Sequence, residues 1–334
     1  MRLAALVESN DHVCTRYRLR AFEPRLRAAG HTLELHPLPK NWWGRLTIAN
    51  SVRDADVVVL QRKLLSRPEV ALVRRRARRL WFDFDDALWM RDSYSPKGFA
   101  SRKRMARFRT IVRAADAVIA GNAYLAEQAM QSGARGSLII PTCVDVARYP
   151  VARHERTGAN LVWVGSSSTI RGLEAIAPLL ETVGRKVPNV RLKLVCDQFL
   201  QLNHLAVLEC AWSESTEAAE IAAADIGISW VPDDPWSRGK CGLKILQYMA
   251  AGLPVVTNAV GVHAEMVHHG ETGYLVESES EWVDAIQMLA RDPDLRRQMG
   301  ARGRRRVEKQ FSVEAGAALW VNLIAGLTTG RATA

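Results

Sequence analysis

Hydrophobic positions along the chain fall into short apolar runs that alternate with longer amphipathic segments. In the first half, the apolar runs predict strands at 3–7, 32–36, 57–60, 80–84, 117–120 and 137–140. Segments with helical spacing of apolar residues lie between them, at 17–29, 68–79, 102–115 and 123–132. Short buried strands that alternate with helices form parallel sheets covered on both faces. The pattern therefore predicts an α/β domain.

The second half repeats the alternation after a polar stretch at 148–158, which contains Pro150 and is the predicted linker between domains. Strands are predicted at 161–164, 190–196, 225–231, 255–256 and 274–276, with a further candidate at 205–209. Helices are predicted from 173 onward and at 215–224, 242–251, 281–291 and 293–310. We expect one domain over residues 1–147, a second over 159–311 and a C-terminal helix over 312–334.

Composition narrows the class of protein. Of the 334 residues, 48% are hydrophobic and 24% are charged, which is typical of a globular protein. No window approaches the ~18 consecutive apolar residues of a membrane-spanning helix. The five cysteines are scattered without metal-ligand spacing, which favours a reducing compartment and argues against a metal site. We expect a cytoplasmic protein.

Positive charge dominates the surface chemistry. The net charge is +11, and arginine-rich runs lie at 74–79, 102–113 and 302–309. Such a surface attracts nucleic acids, anionic headgroups or phosphorylated substrates. No nucleic-acid-binding signature accompanies the charge, so we expect no specific nucleic-acid partner. An arginine-rich proteome is the simplest explanation, and peripheral contact with the inner face of an anionic plasma membrane is the next.

Polar residues gather at the beginning of the helix predicted at 242–251. Lys240 and Lys244 are four residues apart, and Gln247 follows Lys244 by three, so the three side chains share a helix face. Cations and free backbone N–H groups at a helix N-terminus bind phosphates, and Gly242 would allow a close approach. A solvated helix start with ordinary surface lysines fits the same pattern.

A second phosphate-binding geometry follows the strand at 161–164. The turn from Gly165 and Ser166 to Arg171 joins that strand to a helix and is rich in glycine and serine. It matches neither the dinucleotide-binding fingerprint nor the P-loop, so those two kinds of site are disfavoured.

Polar residues also follow two strands of the first domain. Arg16 and Arg18 stand near the start of the helix predicted at 17–29, where cations oppose the helix dipole. Contact with an anionic substrate would explain them, and so would exposure to solvent. Asp83, Asp85 and Asp86 repel one another after the strand at 80–84 and need a partner such as a cation, arginines or substrate hydroxyls.

The segment from Trp236 to Val276 resembles the donor-binding segment of family-4 (group 1) glycosyltransferases, which are retaining enzymes of the GT-B fold. The residues in register are Gly242, Met249, Ala250, Gly252, Pro254, Val255, Val256, Gly261, Glu265, Gly270 and Gly273. Gly239 and Gln247 stand where the commonest version has two glutamates, and the run KCGLKILQYMAAG resembles a bacterial subgroup. Residues 116–127 and 140–145 resemble the end of the N-terminal domain of the same enzymes.

The resemblance implies two Rossmann-like domains that face a central cleft, with the C-terminal helix crossing back to the first. It implies retaining transfer of a sugar from a nucleoside diphosphate sugar to the hydroxyl of a carbohydrate or lipid-linked acceptor, in cell-envelope or exopolysaccharide biosynthesis. No metal or cofactor is then required, because protein cations stabilise the departing diphosphate.

The resemblance also suggests a role for each candidate residue. Those expected to stabilise the diphosphate are Arg171, Lys240 and Lys244. Those expected to bind the rest of the donor are Gly165, Ser166 and Gly242 at the phosphates, Gln247 at the ribose and Glu265 at the sugar. Those expected to face the acceptor are Arg16, Arg18, Asp83 and Asp86.

Two other functions remain open, because one fold serves many reactions. The chain could be a sugar-nucleotide epimerase, which would turn over donor without acceptor. It could also be a non-catalytic glycosyltransferase-like subunit, an idea that the two absent glutamates support. No nucleophile elbow or HExxH motif suggests another hydrolytic or metal-dependent chemistry.

Overall fold

The computed structural model of the protein describes residues 1–328, which divide into two compact units. Unit 1 contains Met1–Cys143, Asp234–Cys241 and the chain from Val313 onward, and unit 2 contains Val144–Asp233 and Gly242–Ser312. Residues 329–334 of the predicted C-terminal helix lie outside the described residues. The chain therefore changes unit once within the segment predicted to bind the donor, between Cys241 and Gly242.

Unit 1 is built on a six-stranded parallel sheet with the order β2-β1-β3-β4-β5-β6. The strands are β1 (Arg2–Val7), β2 (Thr32–Pro37), β3 (Val57–Gln61), β4 (Leu80–Phe84), β5 (Ala117–Ala120) and β6 (Ser137–Ile139). Every residue of β3 and β4 is buried, as expected when helices cover both faces of a parallel sheet. All six strands predicted from the hydrophobic pattern are present.

The helices of unit 1 that precede β6 follow the predicted alternation, with one addition and one break. They are α1 (Val13–Arg18), α2 (Glu23–Ala28), α3 (Trp42–Ser51), α4 (Arg67–Arg76), α5 (Arg102–Ala114) and α6 (Ala123–Gln131). The hydrophobic pattern did not predict α3.

The single helix predicted at 17–29 is wrong. A short 3-10 turn at Arg20–Phe22 separates α1 from α2, and Pro24 lies in the first turn of α2. Proline fits a first helical turn but not a helix interior. Arg16 and Arg18 consequently lie in the last turn of α1, where the helix dipole favours a cation. The argument that they oppose the dipole is therefore wrong.

Unit 2 is built on a second six-stranded parallel sheet, with the order β12-β11-β10-β7-β8-β9. The strands are β7 (Ala159–Val164), β8 (Val190–Cys196), β9 (Ala206–Ala211), β10 (Ile226–Ser229), β11 (Val255–Thr257) and β12 (Gly273–Leu275). The candidate strand at 205–209 is thus present as β9. A core that includes Leu161, Leu194, Ile228 and Trp282 lies against this sheet.

The remaining helices complete both units. They are α7 (Arg171–Ala175), α8 (Ala177–Lys186), α9 (Glu217–Ala222), α10 (Leu243–Ala250), α11 (Val262–Met266), α12 (Glu279–Arg291), α13 (Pro293–Gln310) and α14 (Val313–Thr328). The last of these, α14, belongs to unit 1. There the ring centroid of Trp320 lies 6.3 Å from that of Phe22 and 6.2 Å from that of Trp81. No helix among residues 1–328 is long and apolar enough to cross a membrane.

The stretch predicted as a linker at 148–158 is attached to the body of unit 2. The backbone N–H of Ala152 donates to the carbonyl of Ala251 at 2.9 Å. The imidazole Nε2 of the buried His154 lies 2.8 Å from the carbonyl oxygen of Gly252. The first change of unit falls earlier in the chain, between Cys143 and Val144.

Candidate active site

The loop after β7 is a tight turn that ends at the beginning of α7. Its carbonyl at Ser166 accepts hydrogen bonds from the backbone N–H groups of Thr169 at 2.8 Å and Ile170 at 3.0 Å. A glycine is needed at 165, because a Cβ there would lie 2.2 Å from the ring of Trp163. Arg171 is exposed in the first turn of α7. The turn therefore stands at the carboxyl end of a central strand, where ligands of open α/β sheets bind.

A carboxylate that the sequence analysis did not identify as functional holds this turn. Asp197 follows β8 directly and accepts from the backbone N–H of Ser167 at 2.6 Å and from its hydroxyl at 2.8 Å. These hydrogen bonds lower the pKa of Asp197. The signal available in the sequence was its position, since polar residues that follow adjacent parallel strands lie at the same edge of a sheet.

The beginning of α10 meets the same turn within unit 2. The Nζ atom of Lys244, in the first turn of the helix, lies 3.6 Å from the ring centroid of Trp163. That ring also packs against Gly165. A cation this close to an aromatic face is held there electrostatically. The structure thus brings Gly165 and Lys244, both predicted to lie at the donor diphosphate, against one indole ring.

Gly242 is required by the backbone at the start of α10. It has a φ of 64°, in the left-handed region that favours glycine. A Cβ at this position would also lie 2.5 Å from the Sδ atom of Met266 in α11. This contact places α11, with the exposed side chain of Glu265, beside the beginning of α10.

Gln247 lies deeper in unit 2 than the other candidate residues. Its side chain is buried, and its Nε2 donates to the phenolic oxygen of Tyr149 at 3.2 Å. Tyr149 is itself buried. A buried amide must be hydrogen-bonded, and Tyr149 supplies one of its partners. The proposed contact of Gln247 with a ribose stays a prediction.

A network of charges lies at the carboxyl ends of β3 and β4 in unit 1. The guanidinium of Arg62 pairs with Asp85 and also lies 2.7 Å from Asp86. The ammonium of Lys240 donates to Asp86 at 2.9 Å and lies 4.6 Å from the ring centroid of Trp236. Cations, arginines and substrate hydroxyls were proposed as partners of Asp83, Asp85 and Asp86, and the structure shows cationic side chains there. Arg62 was not predicted, although it directly follows β3.

The pKa values of this network follow from burial and pairing. Burial acts to raise the pKa of Asp85, but Arg62 and then Arg18 outweigh it and hold that pKa at about 2. Burial also acts to lower the pKa of Lys240, whereas the charge of Asp86 and its hydrogen bond raise it. Asp85 and Lys240 are therefore both charged at neutral pH, and the negative charge of Asp85 favours the protonated form of Lys240.

Arg18 and Asp83 form an ion pair inside unit 1. Their side chains are 1% and 0% exposed, and the Nη2 of Arg18 lies 2.5 Å from the carboxylate. The Nε atom donates to the same carboxylate at 3.0 Å, and Nη1 donates to the carbonyl of Ile140 at 2.9 Å. Because the two charges bind each other out of contact with solvent, we assign the pair a role in fixing the end of β4.

Arg16 and Asn122 are two further polar residues that follow strands of this sheet, Arg16 in α1 after β1 and Asn122 directly before α6 after β5. Arg16 is 7% exposed, and its guanidinium carbon lies 5.3 Å from the ring centroid of Tyr17. Asn122 caps α6 by accepting from the backbone N–H of Leu125 at 2.9 Å. Its amide also donates to the carbonyl of Lys240 at 3.0 Å, so it fixes the backbone that carries this lysine.

The candidate diphosphate ligands are divided between the two units. Lys240 belongs to unit 1, whereas Arg171 and Lys244 belong to unit 2. The joint use of Arg171 and Lys240 on one diphosphate stays a prediction. Within residues 1–328 no group of three histidine, cysteine or acidic side chains could hold a metal ion.

A buried histidine beside α10 makes the stability of unit 2 depend on pH. The Nδ1 atom of His263 lies 2.9 Å from the hydroxyl of Thr257, and burial lowers the pKa of His263 to about 4. In the unfolded chain its pKa is about 6.5. The unfolded state therefore binds this proton more readily, and we expect the free energy of unfolding to fall by ~3 kcal/mol as the pH drops from about 6.5 to 4.

Denaturant unfolding at several pH values, compared with His263→Asn, measures this contribution. The variant is expected to lose the corresponding part of the pH dependence. An identical dependence in both proteins over this range would show that His263 is not its source.

The fold places the chain in a structural class. Two parallel six-stranded sheets, each covered by helices, define the GT-B fold that the sequence predicted. Sucrose-phosphate synthase from Thermosynechococcus elongatus superposes with a TM-score of 0.77 at 17% identity, over 99% of this chain and 100% of that one. HepE from Anabaena, in complex with UDP and glucose, gives 0.70 at 16% identity, over 98% and 100%.

Sequence comparison points to one family within that fold. Residues 235–306 match the family model of the group 1 glycosyl transferases. N-acetyl-alpha-D-glucosaminyl L-malate synthase from Bacillus anthracis is 43% identical over 76 residues, which are 22% of this chain and 20% of that protein. The chain thus aligns with only about a fifth of the length of this curated relative. The match includes the start of α10 and Glu265, and it supports the resemblance seen in the sequence.

Proposed function

We propose that the protein is a retaining glycosyltransferase that moves a sugar from a nucleoside diphosphate sugar to an acceptor hydroxyl. The observation that carries this proposal is that the turn at Gly165 and the ammonium of Lys244 both lie against the ring of Trp163. A lysine at a helix N-terminus, beside a serine-containing turn at the carboxyl end of a strand, is complementary to a diphosphate. The group 1 match over 235–306 supports the same reaction.

Stabilisation of the leaving group is the central chemical requirement of this reaction. As the bond between the sugar and the diphosphate breaks, negative charge grows on the diphosphate oxygens. In our proposal Lys244 and Arg171 of unit 2, together with Lys240 of unit 1, stabilise that charge. Fixed cations are effective here because they need no reorganisation during the step. The protein thereby supplies the charge that a metal ion would otherwise provide.

The rest of the donor is assigned to neighbouring groups of unit 2. Gly165 and Ser166, at the carboxyl end of β7, and Gly242, at the beginning of α10, are assigned to the phosphates. Glu265, exposed on α11 beside the start of α10, would accept hydrogen bonds from sugar hydroxyls. Gln247 would reach the ribose after exchanging its contact with Tyr149. HepE was solved with UDP and glucose, so UDP-glucose is the first donor to test.

The acceptor is assigned to the polar edge of unit 1. Asp86 and Arg16 are the groups there that we retain for acceptor hydroxyls or an anionic acceptor group. The buried pair of Arg18 and Asp83 would hold Asp86 and Arg16 in place indirectly, by fixing the end of β4. A carbohydrate or lipid-linked intermediate of cell-envelope or exopolysaccharide biosynthesis fits a protein of this charge in the cytoplasm.

Thermal unfolding with nucleoside diphosphates and their sugars tests the donor assignment. A ligand at a hundred times its dissociation constant stabilises a protein by about 2.7 kcal/mol, which raises the melting temperature of a unit of this size by roughly 5–10 °C. We expect such a shift with one base and a smaller one in Lys244→Ala. No shift with any nucleotide at millimolar concentration would contradict the proposal.

Product analysis separates the three functions that the sequence left open. NMR of the reaction with the identified donor is expected to show a first-formed product that keeps the anomeric configuration of the donor sugar. Formation of a new sugar epimer without acceptor would identify an epimerase. A thermal shift without turnover of the donor, by hydrolysis or transfer, would identify a non-catalytic binding subunit.

A further inference from the structure

Two neighbouring helices of unit 1 carry a dense positive charge. Residues 67–79, which include α4, contain six arginines, and α5 contains five arginines and one lysine. There is no acidic residue in α5. The acidic residue of α4, Glu69, is buried and paired with Arg45 of α3. The two helices pack against each other, so their charges lie on one side of the unit.

Half of these cations have no partner within the described protein. Among residues 1–328, no hydrogen bond or ion pair engages six side chains, which we call the basic face: Arg67, Arg75, Arg79, Arg102, Lys103 and Arg109. All six are exposed. By contrast, Arg74 is paired with Asp116 at 2.9 Å. Like charges left together repel one another, and an anionic surface relieves that repulsion.

An exposed tryptophan lies on α3, the helix that packs beside α4. Trp43 of α3 is 75% exposed, and α3 packs against α4. Asn50, seven residues after Trp43, accepts a hydrogen bond from Arg76 of α4 at 2.6 Å. Residues seven apart share a face of a helix, so Trp43 lies on the face of α3 that Arg76 reaches at Asn50, whereas Arg45, on the opposite face, pairs with Glu69 of α4. Tryptophan beside arginine and lysine is the combination found at membrane interfaces.

We propose that the basic face and Trp43 bind the surface of an anionic phospholipid bilayer. The cations pair with headgroup phosphates and carboxylates, and the indole enters the headgroup region. A single-stranded nucleic acid fits these helices less well, because its successive bases stack on a row of exposed aromatic rings. The aromatic residue of α4 and α5, Phe108, is buried. This inference goes beyond the proposed reaction, since the surface contains none of the donor-binding residues.

Vesicle sedimentation tests the inference with the full chain. We expect the protein to sediment with vesicles of phosphatidylcholine containing roughly a third phosphatidylglycerol, and not with phosphatidylcholine alone. Each cation at such a surface contributes about a five-fold change in binding, so Arg75→Gln combined with Arg109→Gln is expected to weaken partitioning about 30-fold. Arg305→Gln combined with Lys309→Gln, two exposed cations of α13, removes the same charge elsewhere and is the matched control.

Three results would overturn the inference. The first is the absence of sedimentation with anionic vesicles by the unmodified protein. The second is an equal loss in both double variants, which would make net charge the cause. The third is binding to duplex DNA that is tighter than binding to vesicles. Trp43→Ala provides an independent measurement, because it removes no charge and is expected to abolish the part of vesicle binding that survives in high salt.

Discussion

Replacement of Lys240 by alanine is expected to lower the turnover number of sugar transfer by about 100- to 1000-fold, the usual effect of removing one group that stabilises developing negative charge. In the structure its ammonium is held by Asp86 at 2.9 Å and by the ring of Trp236. Asn122 fixes the carbonyl of the same residue. A side chain restrained in this way is available at the moment of bond cleavage without further ordering. Steady-state kinetics with the identified donor gives the measurement.

Two further variants separate a role on the diphosphate from a role in the ion pair. Lys240→Arg keeps the charge and is expected to recover part of the activity. Asp86→Asn removes the ion-pair partner while Arg62 still binds Asp85, so at saturating acceptor it is expected to lower turnover far less than Lys240→Ala, and its own role toward the acceptor is expected to raise the KM for acceptor. If Asp86→Asn and Lys240→Ala reduce turnover equally, the lysine acts through the pair and not on the donor.

Replacement of Arg18 by methionine is expected to lower the free energy of unfolding of unit 1 by about 3–5 kcal/mol, because it leaves a buried carboxylate without its cation. Asp83 is 0% exposed, and the side chain of Gln61, at 3.3 Å, would be the remaining polar partner shown for it. Burial already raises the pKa of Asp83 in the presence of Arg18. Calorimetry and denaturant titration both measure the change.

The double variant Arg18→Met with Asp83→Leu provides the control. A buried ion pair replaced by apolar groups of similar volume often costs little, since desolvation of both charges is avoided. We therefore expect the double variant to be more stable than Arg18→Met alone. If Arg18→Met lowers the free energy of unfolding by less than about 1 kcal/mol, water reaches Asp83 and the ion pair is not shielded from solvent.

The hydrophobic pattern was sufficient for the centre of both sheets because the central strands are buried on two faces. A run such as Val57–Gln61 has no polar alternation and can only be a core strand or a buried helix, and its length decides for the strand. Gly242, Gly252 and Pro254 likewise marked the ends of α10, since these residues act through the local backbone. By contrast, α3 has weak periodicity and went unpredicted, and the break between α1 and α2 was missed although Pro24 marks it.

The candidate site was predictable where a motif is continuous in the chain. Gly165, Gly242, Lys244 and Glu265 were identified from turns, helix starts and the resemblance to group 1 glycosyltransferases. Asp197 and Arg62 were missed, because each acts on a residue remote in sequence. Asp197 holds Ser167, and Arg62 holds Asp85 and Asp86. Nothing local distinguishes them from other polar residues that follow a strand.

The sequence by itself determined the two α/β halves, the order of their strands along the chain and the turns able to approach a diphosphate. These are local properties, set by side-chain periodicity and by the backbone freedom of glycine and proline. Only the tertiary structure decided that Lys244 and Gly165 share the ring of Trp163, that Lys240 is held by Asp86, and that Arg18 and Asp83 bind each other. The physical reason is that charge pairing depends on distance in space, which parallel strands create between residues far apart in the chain.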